Sequence, residues 1–357
     1  MPEQPTAPTR SGARALRRPR PRLRAALVIV LVTASTLALL AATGGARSPA
    51  RAAARHPPAT ARKLLFGLGP EADGARKSPL VRAAPVRMLS SWYNGPSDLG
   101  WMTAWRGTEV ARDYAAGYAL HLIVWSGGPQ TQVPTRYGTA CGQAYPLSAQ
   151  FLQDMERLAR TFAGPRSSRL YVTLFTEFQT YACHGNEWSA DPHTTAYFEA
   201  LKDQYRAALA IFHRLAPNGA VSLGWGGWQA RWDDPAKGGG RSLFAHFADV
   251  MRESDFESFE VIDSGPDVSD ILGMTRALER YGPVMLAYYK PPHDSPATVQ
   301  AHLKAVLAPR LLSRLTRARV FALSLMDDSF LSADPVSLAI VRDAVKRFGC
   351  GACGRVR

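Results

Sequence analysis

The stretch Arg169–Trp188, RLYVTLFTEFQTYACHGNEW, is the part of the chain that decides the fold. Its first half, Leu170–Thr176, is a short apolar run rich in β-branched and aromatic residues, which is typical of a buried strand. The run ends at Glu177, and a lone carboxylate is strongly unfavourable in a buried strand unless it is paired or close to water. We therefore expect Glu177 to lie where this strand opens into a pocket.

Apolar runs of the same kind recur from Lys63 onward and alternate with amphipathic helical stretches. The strand candidates are Leu64–Gly69, Arg87–Tyr93, Leu120–Trp125, Leu170–Thr176, Ala220–Trp225, Ser258–Asp263, Val284–Tyr289 and Val320–Met326. Strand–helix units repeated in this way within residues 63–348 predict an α/β fold, the (β/α)8 TIM barrel, which has about this size.

Two of the intervening helices have clear start signals. Ser148 can cap a helix whose apolar residues share one face, and Asp191 followed by Pro192 combines a cap with a favourable first-turn proline. An open doubly wound sheet is the alternative architecture. The segment Phe66–Glu71, however, lacks the third glycine of a dinucleotide-binding turn. We therefore expect a barrel without a bound cofactor.

The first 62 residues differ in composition from the rest of the chain. They hold 11 of the 43 Lys and Arg residues and only one of the 29 acidic residues, which accounts for most of the formal net charge of +14. The basic excess therefore belongs to this leader. We expect the folded body not to bind nucleic acid, because such binding needs a basic surface.

The leader has the order of an export signal. Residues 1–24 are rich in arginine, residues 25–46 form a hydrophobic signal or membrane anchor, and residues 47–62 resemble a flexible linker. The uncharged run over residues 25–42 is long enough for either a cleaved signal or an uncleaved anchor. In both cases we expect an extracellular or cell-surface body that meets the membrane only through this segment.

The four cysteines fit an oxidising compartment. Cys141 and Cys183 fall in predicted loops after successive strands, and a bridge between them would stabilise the fold by about 4 kcal/mol on the loop-entropy scale. Cys350 and Cys353 belong to a C-terminal tail, residues 349–357, where the spacing favours a local disulfide over a zinc or redox centre.

The carboxyl ends of barrel strands surround one pocket, so residues distant in sequence meet there. Carboxylates and flat aromatic side chains dominate these ends. The catalytic candidate is Glu177, and the substrate-binding candidates are Trp92, Tyr93, Trp125, Trp225, Tyr288 and Asp327. This mixture suits a carbohydrate, because sugar rings pack on aromatic planes while their hydroxyls bond to carboxylates.

In ending strand 4 with a glutamate, the chain resembles (β/α)8 glycoside hydrolases of clan A, the group that includes β-mannanases. The resemblance implies that Glu177 is a general acid/base. The sequence departs from the clan pattern in two places. Thr176 stands where clan A usually has Asn or His, and strand 7, Met285–Lys290, carries no carboxylate at the place of the nucleophile.

Cleavage of a glycosidic bond needs a second carboxyl group. Asp263 is the first candidate, because it follows an apolar segment of strand 6 and precedes a turn that would project it into the pocket. Asp327 and then Glu71 are the next candidates. A structural alternative also exists, since an aspartate at a strand end often only caps the next helix. Trp225 and the other tryptophans also have a structural alternative, because many aromatic side chains simply fill core volume.

Two functions stay open from the sequence. One is an exported hydrolase that cleaves a polysaccharide, an oligosaccharide or a cell-wall glycan. The other is a non-catalytic barrel that binds carbohydrate at the cell surface, which the missing strand-7 carboxylate keeps open. We expect a monomer and no metal site, because the histidines lack the paired spacing of metal ligands.

Overall fold

Each of the eight apolar runs forms a strand, and the eight strands pair in parallel around a closed barrel. The computed structural model describes residues 63–351. The predicted α/β fold, a (β/α)8 TIM barrel, is confirmed. The leader, residues 1–62, and Cys353 lie outside the described residues. Within the described part of the chain, no helix is sufficiently long and apolar to span a membrane.

The eight barrel strands begin and end within two residues of the predicted bounds, and two further strands, β4 and β5, were not predicted. They are β1 (Leu65–Leu68), β2 (Met88–Tyr93), β3 (Ala119–Val124), β4 (Gln130–Thr135), β5 (Gly138–Gln143), β6 (Leu170–Leu174), β7 (Gly219–Trp225), β8 (Glu257–Ile262), β9 (Val284–Lys290) and β10 (Val320–Leu325). In barrel order they run β1, β2, β3, β6, β7, β8, β9 and β10, and we call these barrel strands 1 to 8. Strands β4 and β5 form a separate antiparallel hairpin.

The helices cover the outside of the barrel. They are α1 (Ala72–Ala75), α2 (Pro79–Ala83), α3 (Leu99–Ala104), α4 (Glu109–Ala115), α5 (Ala149–Phe162), α6 (Pro192–Leu215), α7 (Ala248–Glu253), α8 (Asp267–Leu278), α9 (Pro296–Val306), α10 (Pro309–Arg317), α11 (Ser329–Ala333) and α12 (Pro335–Phe348). Both predicted caps are confirmed, because Ser148 accepts from the backbone N–H of Phe151 and Asp191 from that of Thr194.

The core has two layers, which explains why the strands are apolar on both faces. On barrel strand 4, which is β6, Leu170, Val172 and Leu174 point outward into the main cluster between barrel and helices. Tyr171, between them, points inward and belongs to a smaller cluster inside the barrel. The alternation along the strand therefore fixes which residues near its end face the pocket.

The hairpin of β4 and β5 follows barrel strand 3 and is tied to the segment after Glu177. The predicted bridge between Cys141 and Cys183 is confirmed, and the backbone N–H of Cys183 donates to the carbonyl of Cys141 at 3.0 Å. Gly142 fits closely here, because a Cβ at this position would lie 2.7 Å from the carbonyl oxygen of Tyr181. The segment after Glu177 is thus held by a covalent and a hydrogen-bonded connection.

We expect the double substitution Cys141→Ser with Cys183→Ser to lower the free energy of unfolding by about 2–4 kcal/mol, because the bridge closes a loop in the unfolded chain. Urea denaturation without reductant measures the change. Reductant added to the double variant serves as the control, since it isolates any contribution from Cys350, which is also disulfide-bonded. A double variant as stable as the parent would contradict this expectation.

Candidate functional site

A cleft of about 460 Å³ opens at the carboxyl ends of the barrel strands. Seven of the eight barrel strands contribute to its wall, strand 5 being the exception. Its lining residues are Pro70, Glu71, Trp92, Asn94, Asp98, Trp101, Trp125, Glu177, Ile262, Tyr288 and Met326. In TIM barrels this face carries the active site. The expected opening of strand 4 into a pocket at Glu177 is therefore present.

A second cavity of similar volume, about 440 Å³, lies between α4 and the loop after α5. Its lining includes Tyr114, Tyr118 and Arg106 but no carboxylate. It lies away from the carboxyl ends of the barrel strands. The cleft beside Glu177 is therefore the candidate functional site.

Glu177 has an unusual backbone conformation. Its φ and ψ are 57° and 30°, in the left-handed region that residues with a Cβ seldom adopt, and Phe175 has a φ of 56°. The turn is held by Tyr181, whose hydroxyl donates to the carbonyl of Thr176 at 2.9 Å. On barrel strand 5, which is β7, Gly224 leaves room for this turn, because a Cβ at Gly224 would lie 2.8 Å from the Cα of Thr176. Such conformations cluster at functional sites.

Glu260, on strand 6, brings a second carboxyl group against Glu177. Its side chain is buried, with 2% of the residue exposed. Burial and then the adjacent Glu177 carboxyl raise the pKa of Glu260 well above its usual value, and the nearby Tyr288 hydroxyl opposes this shift. Neither oxygen of Glu260 has a well-aligned hydrogen-bond partner among residues 63–351. Burial and the adjacent Glu177 carboxyl both favour the protonated form of the Glu260 carboxyl group.

Several polar atoms around this pair are buried and lack a hydrogen-bond partner among the described residues. They are the Tyr288 hydroxyl, the Trp92 indole nitrogen and the Thr176 hydroxyl. The rings of Trp92 and Tyr288 pack with their centroids 4.5 Å apart and form one wall of the cleft. Buried polar groups in native proteins are nearly always satisfied. Together they mark a place for water or a polar ligand.

The cleft gathers a subset of the residues predicted from sequence. Trp92, Trp125, Tyr288 and Glu177 all line it, as does Glu71, the third choice for the second carboxylate. Trp101 also lines the cleft, although its spacing to Trp105 is typical of core residues, and the two rings pack edge to face at 4.8 Å.

Asp263 and Asp327 do not line the cleft. The Asp263 backbone turns away at a φ of 46°, and its half-exposed carboxylate accepts from Nδ1 of His293 at 2.9 Å. Asp327 accepts from the backbone N–H of Ser329 at the start of α11, also at 2.9 Å. Asp327 thus has the capping role that aspartate commonly takes at a strand end. Glu260, three residues before Asp263 on the same strand, is instead the carboxyl group adjacent to Glu177.

Tyr93 and Trp225 face the helices instead of the cleft. The Tyr93 hydroxyl donates to the buried carboxylate of Asp154 on α5 at 3.0 Å. Trp225 is completely buried and packs against Phe178 and Phe244, with ring centroids 4.8 Å and 4.7 Å away. Both residues end their strands on the outward-facing side of the alternation. Neither is retained as a substrate-binding residue.

Within residues 63–351, no group of three His, Cys, Asp or Glu side chains is arranged to hold a metal ion. His121, inside the barrel, contacts the hydroxyl of Ser90 at 3.3 Å and that of Thr173 at 2.9 Å. Burial lowers the pKa of His121 to about 3, so the imidazole is neutral at physiological pH. It is a hydrogen-bonded core residue.

No family model and no curated protein matches this chain. Solved structures do share its barrel. A GH10 endoxylanase from a sugarcane soil metagenome is 13% identical, with a TM-score of 0.46 over 80% of this chain and 97% of that one. The GH53 catalytic domain of Ignisphaera aggregans is 12% identical, with a TM-score of 0.45 over 74% and 79%. A psychrophilic family 10 endo-β-1,4-xylanase is 10% identical, with a TM-score of 0.49 over 76% and 88%. These are similarities of architecture alone.

Proposed function

We propose that this protein is a glycoside hydrolase that cleaves a polysaccharide or oligosaccharide, with Glu177 as general acid/base and Glu260 as the second carboxyl group. The observation that carries the proposal is the contact between these two carboxyl groups beside an aromatic-lined cleft. Glycosidic cleavage uses one protonated and one ionised carboxyl group. Burial and a neighbouring carboxylate are what keep one of two such groups protonated.

The two groups differ in exposure, and this suggests how they divide the chemistry. Glu177 is partly exposed at the cleft, where it can reach a leaving oxygen, whereas Glu260 lies deeper. A bound sugar covers Glu177 and removes water from it, which raises its affinity for a proton. The proton then passes from Glu260 to Glu177. Glu260 is left ionised, facing the sugar carbon from which the bond breaks.

The closeness of the pair favours retention of stereochemistry. Retaining enzymes hold their carboxyl groups about 5–5.5 Å apart, and inverting enzymes hold them about 6.5–9.5 Å apart to leave room for a water molecule. The Glu177 carboxyl is adjacent to that of Glu260. We therefore propose a covalent intermediate on Glu260.

The test is to incubate the wild-type protein with a panel of polysaccharides and to measure the release of reducing ends. We expect release from at least one of them, and the first product, observed by NMR before it mutarotates, is expected to keep the anomeric configuration of the substrate. Inverted product would contradict the retaining mechanism. Binding to a polysaccharide without any release would favour the alternative, a carbohydrate-binding barrel, for which the missing strand-7 carboxylate is the supporting observation.

We also propose that the body is exported through the leader. The support is the bridge between Cys141 and Cys183, because such bonds persist in oxidising compartments. Export and the fate of the leader are tested together by the intact mass of protein recovered from outside the cell. Protein found only in the cytoplasm would contradict export.

A further inference from the structure

We infer that the cleft selects a cationic carbohydrate, namely a chain of amino sugars whose amines are free and protonated. The inference rests on the proposed function and specifies its substrate class. It starts from the charge of the residues that line the cleft, which we call the cleft wall. Glu71, Asp98 and Glu177 line the cleft, and no Lys, Arg or His stands beside them in the lining. Glu260 lies directly behind Glu177 as a fourth carboxyl group, but its raised pKa favours the neutral form, so the charge of the wall comes from the other three.

These four carboxyl groups differ from most others in the molecule, because no ion pair in the described part of the chain involves them. Asp98 accepts only from neutral donors, among them the backbone N–H of Asn94 at 2.8 Å. The excess of negative charge is local, since the chain after residue 62 has 32 basic and 28 acidic residues. A cleft lined by one sign of charge concentrates ligands of the opposite sign.

A buried group at the cleft supplies the second, independent observation. Tyr288 is 1% exposed and lines the cleft, yet its hydroxyl has no well-aligned partner among residues 63–351. An ionised carboxylate only accepts hydrogen bonds, whereas an ammonium group only donates them. A protonated amine therefore complements this wall more completely than a hydroxyl does.

The aromatic side chains favour the same ligand. Trp92, Trp101 and Trp125 line the cleft. Aromatic ring faces pack against the C–H surface of a sugar and attract a cation through their quadrupoles. An anionic chain, such as one of uronic acids, would meet carboxylates without a basic partner. The wall thus discriminates by charge as well as by shape.

The experiment compares glucosamine oligomers with N-acetylglucosamine oligomers of the same length, at a pH that protonates the free amines. We expect kcat/KM to be roughly tenfold higher or more for the free-amine oligomers, the equivalent of one good charge contact. Raising the ionic strength from about 0.01 M to 1 M shortens the screening length from about 30 Å to 3 Å, so this preference should largely disappear.

Two variants locate the effect. Glu71→Gln should lower the preference by about two- to fivefold, the range for an exposed charge pair. Asp73→Asn is the matched control, because Asp73 lies two residues further on in α1, pairs with Lys77 and does not line the cleft. It should leave the preference unchanged.

Each outcome decides the inference separately from the proposed function. Equal or better cleavage of the acetylated oligomers would overturn the inference and leave the hydrolase intact. If no oligomer or polysaccharide is cleaved, the proposed function fails, and calorimetric binding of the same two oligomers decides the substrate class. Tighter, salt-sensitive binding of the free-amine oligomer supports the inference, and equal binding overturns it.

Discussion

Replacing Glu177 by Gln is expected to lower kcat/KM for polysaccharide cleavage by about 10²–10⁴, the usual contribution of a positioned acid or base. Gln keeps the shape of the side chain but neither releases nor accepts the proton, so binding should change little. Glu260→Gln should cause a loss of the same order, because the pair works with one shared proton. Initial rates of reducing-end release and a binding isotherm for each variant measure the two effects.

The controls come from neighbouring carboxylates. Glu257 lies on the same strand as Glu260 and is equally buried, but it packs beside Trp225 outside the barrel, so Glu257→Gln should remain active. Asp263→Asn should also remain active, because Asp263 lies outside the cleft. If Asp263→Asn loses activity while Glu260→Gln keeps it, the assignment of the second carboxyl group is wrong.

A substrate whose leaving group needs no protonation separates the roles of the two glutamates. Such an activated aryl glycoside should restore the first chemical step in Glu177→Gln, because that step no longer requires an acid. It should not restore Glu260→Gln, which lacks the nucleophile. The opposite pattern would exchange the two roles.

The stability of the fold is expected to fall as pH rises from about 5 to 7. Burial raises the pKa of both Glu257 and Glu260 well above the usual value of 4.5. Above that value the unfolded chain releases these protons while the folded chain keeps them, so each group contributes a slope of up to about 1.4 kcal/mol per pH unit against folding. The stability stops falling once the pH exceeds the pKa values of Glu257 and Glu260 in the folded state.

Urea denaturation at several pH values and constant ionic strength measures this dependence. Glu257→Gln should flatten the stability curve by the contribution of one group, and Glu260→Gln should do the same. Glu279→Gln, a substitution at the end of α8, serves as the control and should leave the slope unchanged. Parallel curves for the wild type and both buried-site variants would show that the folded chain ionises these carboxyl groups as readily as the unfolded chain.

The barrel follows from the sequence because each strand is buried on both faces, inside by the small central cluster and outside by the helices. Continuous apolar runs such as Leu170–Leu174 result, and they are easy to recognise. The hairpin of β4 and β5 lacks this signal. Residues Gln130–Thr135 are mostly exposed and include a proline at position 134, so they resemble a loop.

The site was predicted only in part, for a reason that Glu260 makes plain. The end of strand 6 points to Asp263 as the second carboxyl group. The side-chain alternation, however, directs Glu260 and Ile262 into the barrel and leaves Asp263 outside. A glutamate within an apolar strand is a signal related to the one at Glu177, where a carboxylate ends an apolar run. Trp225 lies among the helices and not in the cleft for a related reason, because the side-chain alternation decides whether a strand end faces the cleft or the helices.

The two proposed catalytic glutamates and the residues of the cleft wall come from different segments of the chain. Glu260 is a residue of a barrel strand, and Glu177 lies three residues after the end of another, in a turn for which Gly224 leaves room. Asp98 and Trp101, by contrast, come from the connection after strand 2. Chemistry and selectivity are thus encoded in separable segments. On the proposed function, exchanging that connection would change which polymer the molecule accepts and leave the two proposed catalytic carboxyl groups in place.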